Sequence, residues 1–190
     1  MLVDNYETTK SVVIKSTISP GTTKRWNDKY EALNIVFNPE FLTEVNSVEQ
    51  FKDQKFAIFG GDTARFWFHL FINSDISIRK VRFTSLRKAG FAKYAINSFL
   101  ATKVIFFNEL KQFYSDSDFD ELTDLINLDK RIGDSHMMVP GPDMKHGFGG
   151  KCLPKDTLAF ITSASRKGSP LKLLEKAIDI NKELRNEIKE

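Results

Sequence analysis

The lone cysteine of the chain, Cys152, lies in the stretch Gly147 to Asp156, GFGGKCLPKD, among the residue types a reactive thiol needs. The glycines ahead of it let the backbone bend freely and come close to a ligand. Pro154 stands where a first helical residue belongs, because the N–H it lacks would have no partner there. Cys152 is therefore expected at or just before a helix N-terminus, where unpaired amides and the helix dipole favour a thiolate. Lys151 and Lys155 add positive charge beside it. Asp156, four residues on, returns within reach of the sulfur, or of a water near it, around the first helical turn. A buried thiol at an ordinary loop-to-helix junction would need none of this, and Cys152 reads as a nucleophile.

Other chemistry is less well supported. His136 and His146 fall in a Pro- and Gly-rich loop, Asp134 to Gly150, long enough to need a functional reason. No histidine pair has helical metal-ligand spacing with a carboxylate, so no metal site is expected. A cysteine hydrolase pairing Cys152 with His146 is a reading from another class. It lacks an orienting carboxylate or asparagine identifiable beside the histidine.

The elements that must position these residues change character along the chain. Ser11 to Lys15, SVVIK, reads as a buried strand ended by Ser16 and Thr17. Pro20-Gly21-Thr22 opens a short helix to about Tyr30, and Asn34 to Phe37 is a second strand stopped by Asn38-Pro39. Phe56 to Phe59 is a third, followed by Gly60-Gly61-Asp62 and a helix through Phe71. Strand, helix, strand is the parallel α/β pattern, whose ligands gather at the strands' carboxyl ends. Thr17, Glu40 and Glu44 fall at such ends, although each also suits a cap or turn. The Gly-Gly-Asp turn could cradle a phosphate, but no G-x-G-x-x-G occurs in the chain, and a plain tight turn explains it as well.

From about Ser85 to Ser115 runs one long helical stretch without proline, apolar on nearly every face. Such a helix is buried among others or against a second subunit. Lys93 and Asn97 share a face of it; a lysine there needs an anionic partner or snorkels at the helix edge. Asp118 to Leu128 reads as another helix, with Phe119, Leu122, Leu125 and Ile126 on one side. Pro154 to about Arg166 is a helix broken by Gly168-Ser169-Pro170, and a charged amphipathic helix with Leu171, Leu174, Ile178 and Leu184 follows. The expected fold is α/β: a partial Rossmann-like parallel sheet of about three core strands over 1–84, then an all-helical domain over 85–190 built on the long helix.

A length of 190 residues fits one domain or two small ones, and 41% hydrophobic with 28% charged residues is ordinary for a soluble protein. The 17 phenylalanines predict aromatic-rich packing. Net charge is +3 with both signs intermixed, so no basic stripe points to nucleic acid. One cysteine excludes an internal disulfide, the N-terminus MLVDNYETTK lacks the apolar core of a signal peptide, and no apolar run is long enough to span a bilayer. A soluble, cytoplasmic protein is expected.

Four segments carry a resemblance. RIGDSHMMVPGPDMKHGFGGKCLPKD (Arg131 to Asp156) resembles the catalytic-cysteine segment of UDP-glucose and GDP-mannose dehydrogenases. VIKSTISPGTT (Val13 to Thr23), FNPEFLTE (Phe37 to Glu44) and KYAINSFLATKVIFFNEL (Lys93 to Leu110) resemble the same family in the same order. The resemblance implies oxidation of a sugar-nucleotide primary alcohol to the acid by two hydride transfers to NAD, through a cysteine adduct. UDP-glucose is the favoured substrate and UDP-glucuronate the product. Cys152 would be the nucleophile, Lys93 and Asn97 the oxyanion pair, and Asp156 the residue ordering a water. Glu40 would serve in thioester hydrolysis, and Thr17 and Glu44 would lie beside the nicotinamide. Glu40, Phe41 and Leu42, with Phe148, Gly149 and Gly150, would line the substrate pocket, and Arg131 would reach it across a homodimer interface made by the long helix. In that family the glycine fingerprint opens a strand upstream of the match, and a third domain follows the last helix. The chain is thus expected to be a fragment, or one part of a split enzyme completed by another chain. The alternative is an inactive relic that dimerises and serves as an interaction module.

Overall fold

The computed structural model describes residues 10–19, 21–42, 46–114 and 117–186. Along the chain run β1 (Ser11–Ile14), α1 (Thr22–Lys29), β2 (Asn34–Phe37), α2 (Ser47–Lys52), β3 (Asp53–Gln54), β4 (Ala57–Gly60), α3 (Ala64–Ile72), β5 (Ser77–Ile78), β6 (Val81–Thr84), α4 (Leu86–Phe113), α5 (Phe119–Asn127), α6 (Leu153–Ser165) and α7 (Lys172–Asn186). An α/β part precedes a helical part with one long helix, as the sequence implies. Two compact units divide within α4, one ending at Lys93 and the other starting at Tyr94. Among the described residues no helix is long and apolar enough to cross a membrane.

In the first unit the sheet order is β1-β2-β4-β6. β1 pairs with β2, and β4 with β6, in parallel, whereas β2 meets β4 antiparallel through Phe37 and Gly60. The expected parallel sheet of about three strands is thus two parallel pairs joined antiparallel, with a short parallel ladder β3-β5 beside them. β2 is buried on both faces, the usual condition of a parallel strand: Ile35 and Phe37 pack with Ile14, Leu33 and Ala89, while Val36 packs with Ala57, Phe59, Ala64 and Phe71. Phe59 meets Phe71 edge-on at 5.5 Å, and Phe68 meets Phe83 at 5.6 Å, an arrangement that aligns ring edges with ring faces.

One asparagine ties the strand ends together. The Asn38 backbone N–H donates to Ile14 O at 2.9 Å, and its Nδ2 donates to Ile58 O at 2.9 Å. Its Oδ1 accepts from Lys15 Nζ at 2.8 Å. The single antiparallel register pair is thus supplemented by a side chain that reaches β4. The Gly60-Gly61 turn leaves no room for side chains: a Cβ on Gly60 would lie 2.7 Å from the Ala89 Cβ, and one on Gly61 would strike the Ile35 carbonyl. These glycines serve the close approach of the turn to α4 and β2.

In the second unit α4 packs against α5, α6 and α7 through two clusters. Ala101 and Ile105 meet Phe148, Ala177 and Leu184; Phe107 meets Phe119, Met137 and Val139. The buried line of α7 is Ala177, Asn181 and Leu184; of the expected apolar residues Leu184 is buried, and Leu171, Leu174 and Ile178 are partly buried at its edge.

Gly61→Ala combines φ of 124° with a collision against backbone, and a loss of roughly 2–4 kcal/mol is expected. Gly168→Ala, at φ 70° in open space, should cost about 1 kcal/mol. Denaturant unfolding of both variants checks this; equal losses would refute the packing role of Gly61.

Candidate active site

Cys152 is the N-cap of α6, a free and partly exposed thiol, and no side chain caps that helix end. Leu153 is the first helical residue and Pro154 the second, one place later than the sequence suggests and still among the four positions whose N–H has no helical partner. The Cys152 carbonyl accepts the Asp156 N–H at 2.9 Å, so the carboxylate sits one turn above the thiol's backbone.

Asp156 is fully buried. Its Oδ2 accepts a bond from Asn97 Nδ2 at 2.6 Å. Its Oδ1 has no hydrogen-bond partner and lies 3.8 Å from Lys155 Nζ. Tyr94, one turn before Asn97 and stacked on Phe160 at 6.0 Å, feels the same carboxylate. Burial and then the Asp156 charge push its phenol up to about 12. The acid is therefore held among aromatic rings with one oxygen bound and the other open.

The loop before Cys152 is pinned through its backbone. Asn108 Oδ1 accepts the Gly147 N–H at 3.0 Å and lies 3.2 Å from His146 Nδ1. Asn181 accepts the Phe148 N–H at 2.6 Å and donates to the Phe148 carbonyl at 3.1 Å. Arg185 donates to the carbonyls of Phe148 and Gly147, each at 3.2 Å, and to Asp143 at 2.7 Å. That last bond holds the Asp143 carboxyl below its usual range. The Phe148 ring is buried in the core beside Ala101 and Ala177.

A second group forms in the first unit. Lys93, buried, donates to the Glu40 backbone carbonyl at 2.5 Å and lies over the Phe41 ring at 5.2 Å. The Glu40 carboxylate is 3.4 Å from Lys15 Nζ, which also sits over the Phe51 and Phe71 rings. Burial pushes the Lys15 ammonium below its ordinary value, and Glu40 pulls it the other way. Thr17 is half-buried just beyond β1, Leu42 is half-buried, and Glu44 lies outside the described residues.

The structure thus brings Cys152, Asn97, Asp156 and Phe148 to Gly150 together in one unit, and Glu40, Phe41 and Lys93 in the other. Arg131 stands at the surface, where Asp129 holds it at 2.5 Å. Its loop is anchored by buried Lys103, which donates to the Ile132 and Gly133 carbonyls at 3.2 and 2.9 Å. Two hollows, of about 210 Å³ beside Gly61 and Ser85 and about 260 Å³ beside Asp120 and Asp134, contain none of the expected residues. Among the described residues no three His, Cys, Asp or Glu side chains converge as a metal set. Sequence reasoning missed Lys15, Asn38, Asn108, Asn181 and Arg185. A single asparagine inside the apolar run KVIFFNEL was the one available signal, since a buried amide needs partners.

Comparison with known proteins gives this geometry its relatives. The sequence model of the UDP-glucose/GDP-mannose dehydrogenase family, central domain, matches residues 87–183. The chain is 34% identical over 189 residues to UDP-glucose 6-dehydrogenase of Rickettsia bellii, covering 90% of the chain and 41% of that protein. It is 36% identical over 192 residues to UDP-glucose 6-dehydrogenase AglM of Haloferax volcanii, covering 90% and 42%. The solved UDP-glucose dehydrogenase of Pyrobaculum islandicum superposes with a TM-score of 0.76 at 32% identity, over 91% of this chain and 41% of that one. The chain spans about two fifths of the length of the curated relatives it matches. By the match of its central helices and cysteine loop, and of the segment ahead of them, the chain belongs to the UDP-glucose/GDP-mannose dehydrogenase family.

Proposed function

We propose that the chain supplies the nucleophile and its supporting groups to an NAD-dependent UDP-glucose 6-dehydrogenase, converting the sugar C6 alcohol to the carboxylate. The observation that carries this reading is the buried Asn97–Asp156 pair, one helical turn from Cys152 at the start of α6. The relatives are enzymes by name, which favours catalysis over a relic serving only as an interaction module.

The Cys152 sulfur adds to the C6 aldehyde as a thiohemiacetal and, after the second oxidation, holds the acyl group as a thioester. Asn97 donates one N–H to Asp156, and its other amide hydrogen is available to the adduct oxygen. Lys93, which donates to the Glu40 carbonyl, would supply positive charge to an oxyanion. The open Oδ1 of Asp156 suits a water, and Glu40, held by Lys15, suits the base for hydrolysis, which returns the thiolate. Phe41, Leu42, Gly149 and Gly150 would border the sugar nucleotide. Bound NAD would take up hydride at each oxidation. Thr17 and Glu44 would flank its nicotinamide, but no G-x-G-x-x-G, the usual cradle for its pyrophosphate, lies in these 190 residues. A complementing chain or segment would supply that cradle.

We also assign a homodimer to α4. Phe99, Phe106 and Phe113 are 65%, 58% and 88% exposed, seven residues apart along one side of the helix. An aromatic line of this kind marks an interaction surface, and a second copy would bring Arg131 toward its partner's substrate.

The 190-residue chain alone should form no NADH from UDP-glucose. Replacing the matching segment of the Rickettsia bellii enzyme by residues 87–183 should give an active chimera. Cys152→Ala should abolish that activity, and Asn97→Ala should lower kcat by roughly 100-fold. A chimera equally active without Cys152 would disprove the nucleophile, and steady NADH from the chain alone would disprove the need for a second part. In sedimentation the parent chain should run as a dimer and Phe106→Asp as a monomer. A monomeric parent at micromolar concentration would refute the α4 interface.

A further inference from the structure

The backbone of Gly147 and Phe148 is gripped by side chains from α7, a helix that follows Cys152 in the sequence. Asn181 satisfies both the N–H and the carbonyl of Phe148, as a neighbouring strand would. Arg185 spans the carbonyls of Gly147 and Phe148 with two of its nitrogens and reaches Asp143 with the third. The glycines fit this grip. A Cβ on Gly147 would strike Asn181 Oδ1, and one on Gly149 would strike the Arg185 guanidinium. Gly149 is not among the glycines with positive φ, so backbone freedom does not account for it; the space taken by Arg185 does.

We propose that Asn181 and Arg185 are positioning residues, which hold the glycine loop in the one backbone conformation that presents Cys152, and that Gly149 is a glycine to admit Arg185. The proposal deepens the catalytic reading of Cys152 and takes its meaning from it, but the grip itself can be measured without turnover. The bond to Asp143 is the lesser part: Asp143 is about half exposed, and an ion pair in contact with water is screened. The two carbonyl contacts need a planar fork, which a lysine cannot reproduce. The contacts at Gly147 and Phe148 bind backbone only, so they fix the path of the chain there.

The test uses the 190-residue chain and two readouts, alkylation of Cys152 by iodoacetamide and hydrogen exchange at the Phe148 amide. Both are taken at a temperature where circular dichroism shows each variant folded. Arg185→Ala should speed alkylation roughly three- to tenfold, since the half-buried sulfur is uncovered when the loop loosens, and should speed Phe148 exchange in step. Arg185→Lys should behave like Arg185→Ala, whereas Asp143→Asn should stay within about twofold of the parent. Gly149→Ala should match Arg185→Ala, and the double variant should be no worse than either. An alkylation rate within about twofold of the parent, or lower, in Arg185→Ala would overturn the proposal. So would effects of Gly149→Ala and Arg185→Ala that multiply as if independent. If Arg185→Ala does not fold, Arg185→Lys and Gly149→Ala make the same comparison. An active Cys152→Ala chimera would remove the catalytic reading without touching these rates, so the two failures are separable.

Discussion

A helix that buries long polar side chains must find partners for them, and α4 buries Lys93, Asn97, Lys103 and Asn108, beside a small Ser98 whose Oγ stays unpartnered. None of the partners named above for these side chains belongs to a regular strand. Lys93 takes the carbonyl of Glu40 and Asn97 the carboxylate of Asp156; Lys103 takes the carbonyls of Ile132 and Gly133, and Asn108 the amide of Gly147. Leaving any one of them unmet would cost about 1–3 kcal/mol. Exposed pairs such as Lys24–Asp28 and Lys182–Asp179 contribute about 0–1 kcal/mol each. The inner side of α4 therefore determines where the loops run, and the loops carry the chemistry.

Asparagine recurs where two backbones must be joined without regular secondary structure. Its amide offers donor and acceptor in one plane. Asn181 uses both on Phe148, and Asn38 uses one on the carbonyl of Ile58 and the other on Lys15. An aspartate of the same size would lose the donor in each case and place a charge at a buried position. The two units thus share a device although their architectures differ.

Periodicity and turn chemistry made part of this legible. The run from Leu86 to Phe113 has no proline, and the glycines and proline around Cys152 mark a loop entering a helix. Val81 to Thr84 escaped because VRFT alternates for too short a span and Arg82 breaks its apolar look. The antiparallel meeting of β2 and β4 escaped because local pattern does not encode strand direction. Asn181 and Arg185 looked like the polar side of a charged helix, and Lys15 like the end of a strand. Their importance comes from partners distant in sequence, to which periodicity is blind.

The phenylalanine line on α4 has a geometric consequence. Phe99, Phe106 and Phe113 recur every seven residues, slightly less than two turns at 3.6 residues per turn. The line therefore drifts by about 20° per step around the helix and slants across its axis. A straight rod laid parallel to α4 would touch Phe106 and part from the rings on either side of it. A helix following all three must cross at a shallow left-handed angle of about 20°. Because the spacing is symmetrical about Phe106, a two-fold axis through that residue would set Phe99 of each copy against Phe113 of the other.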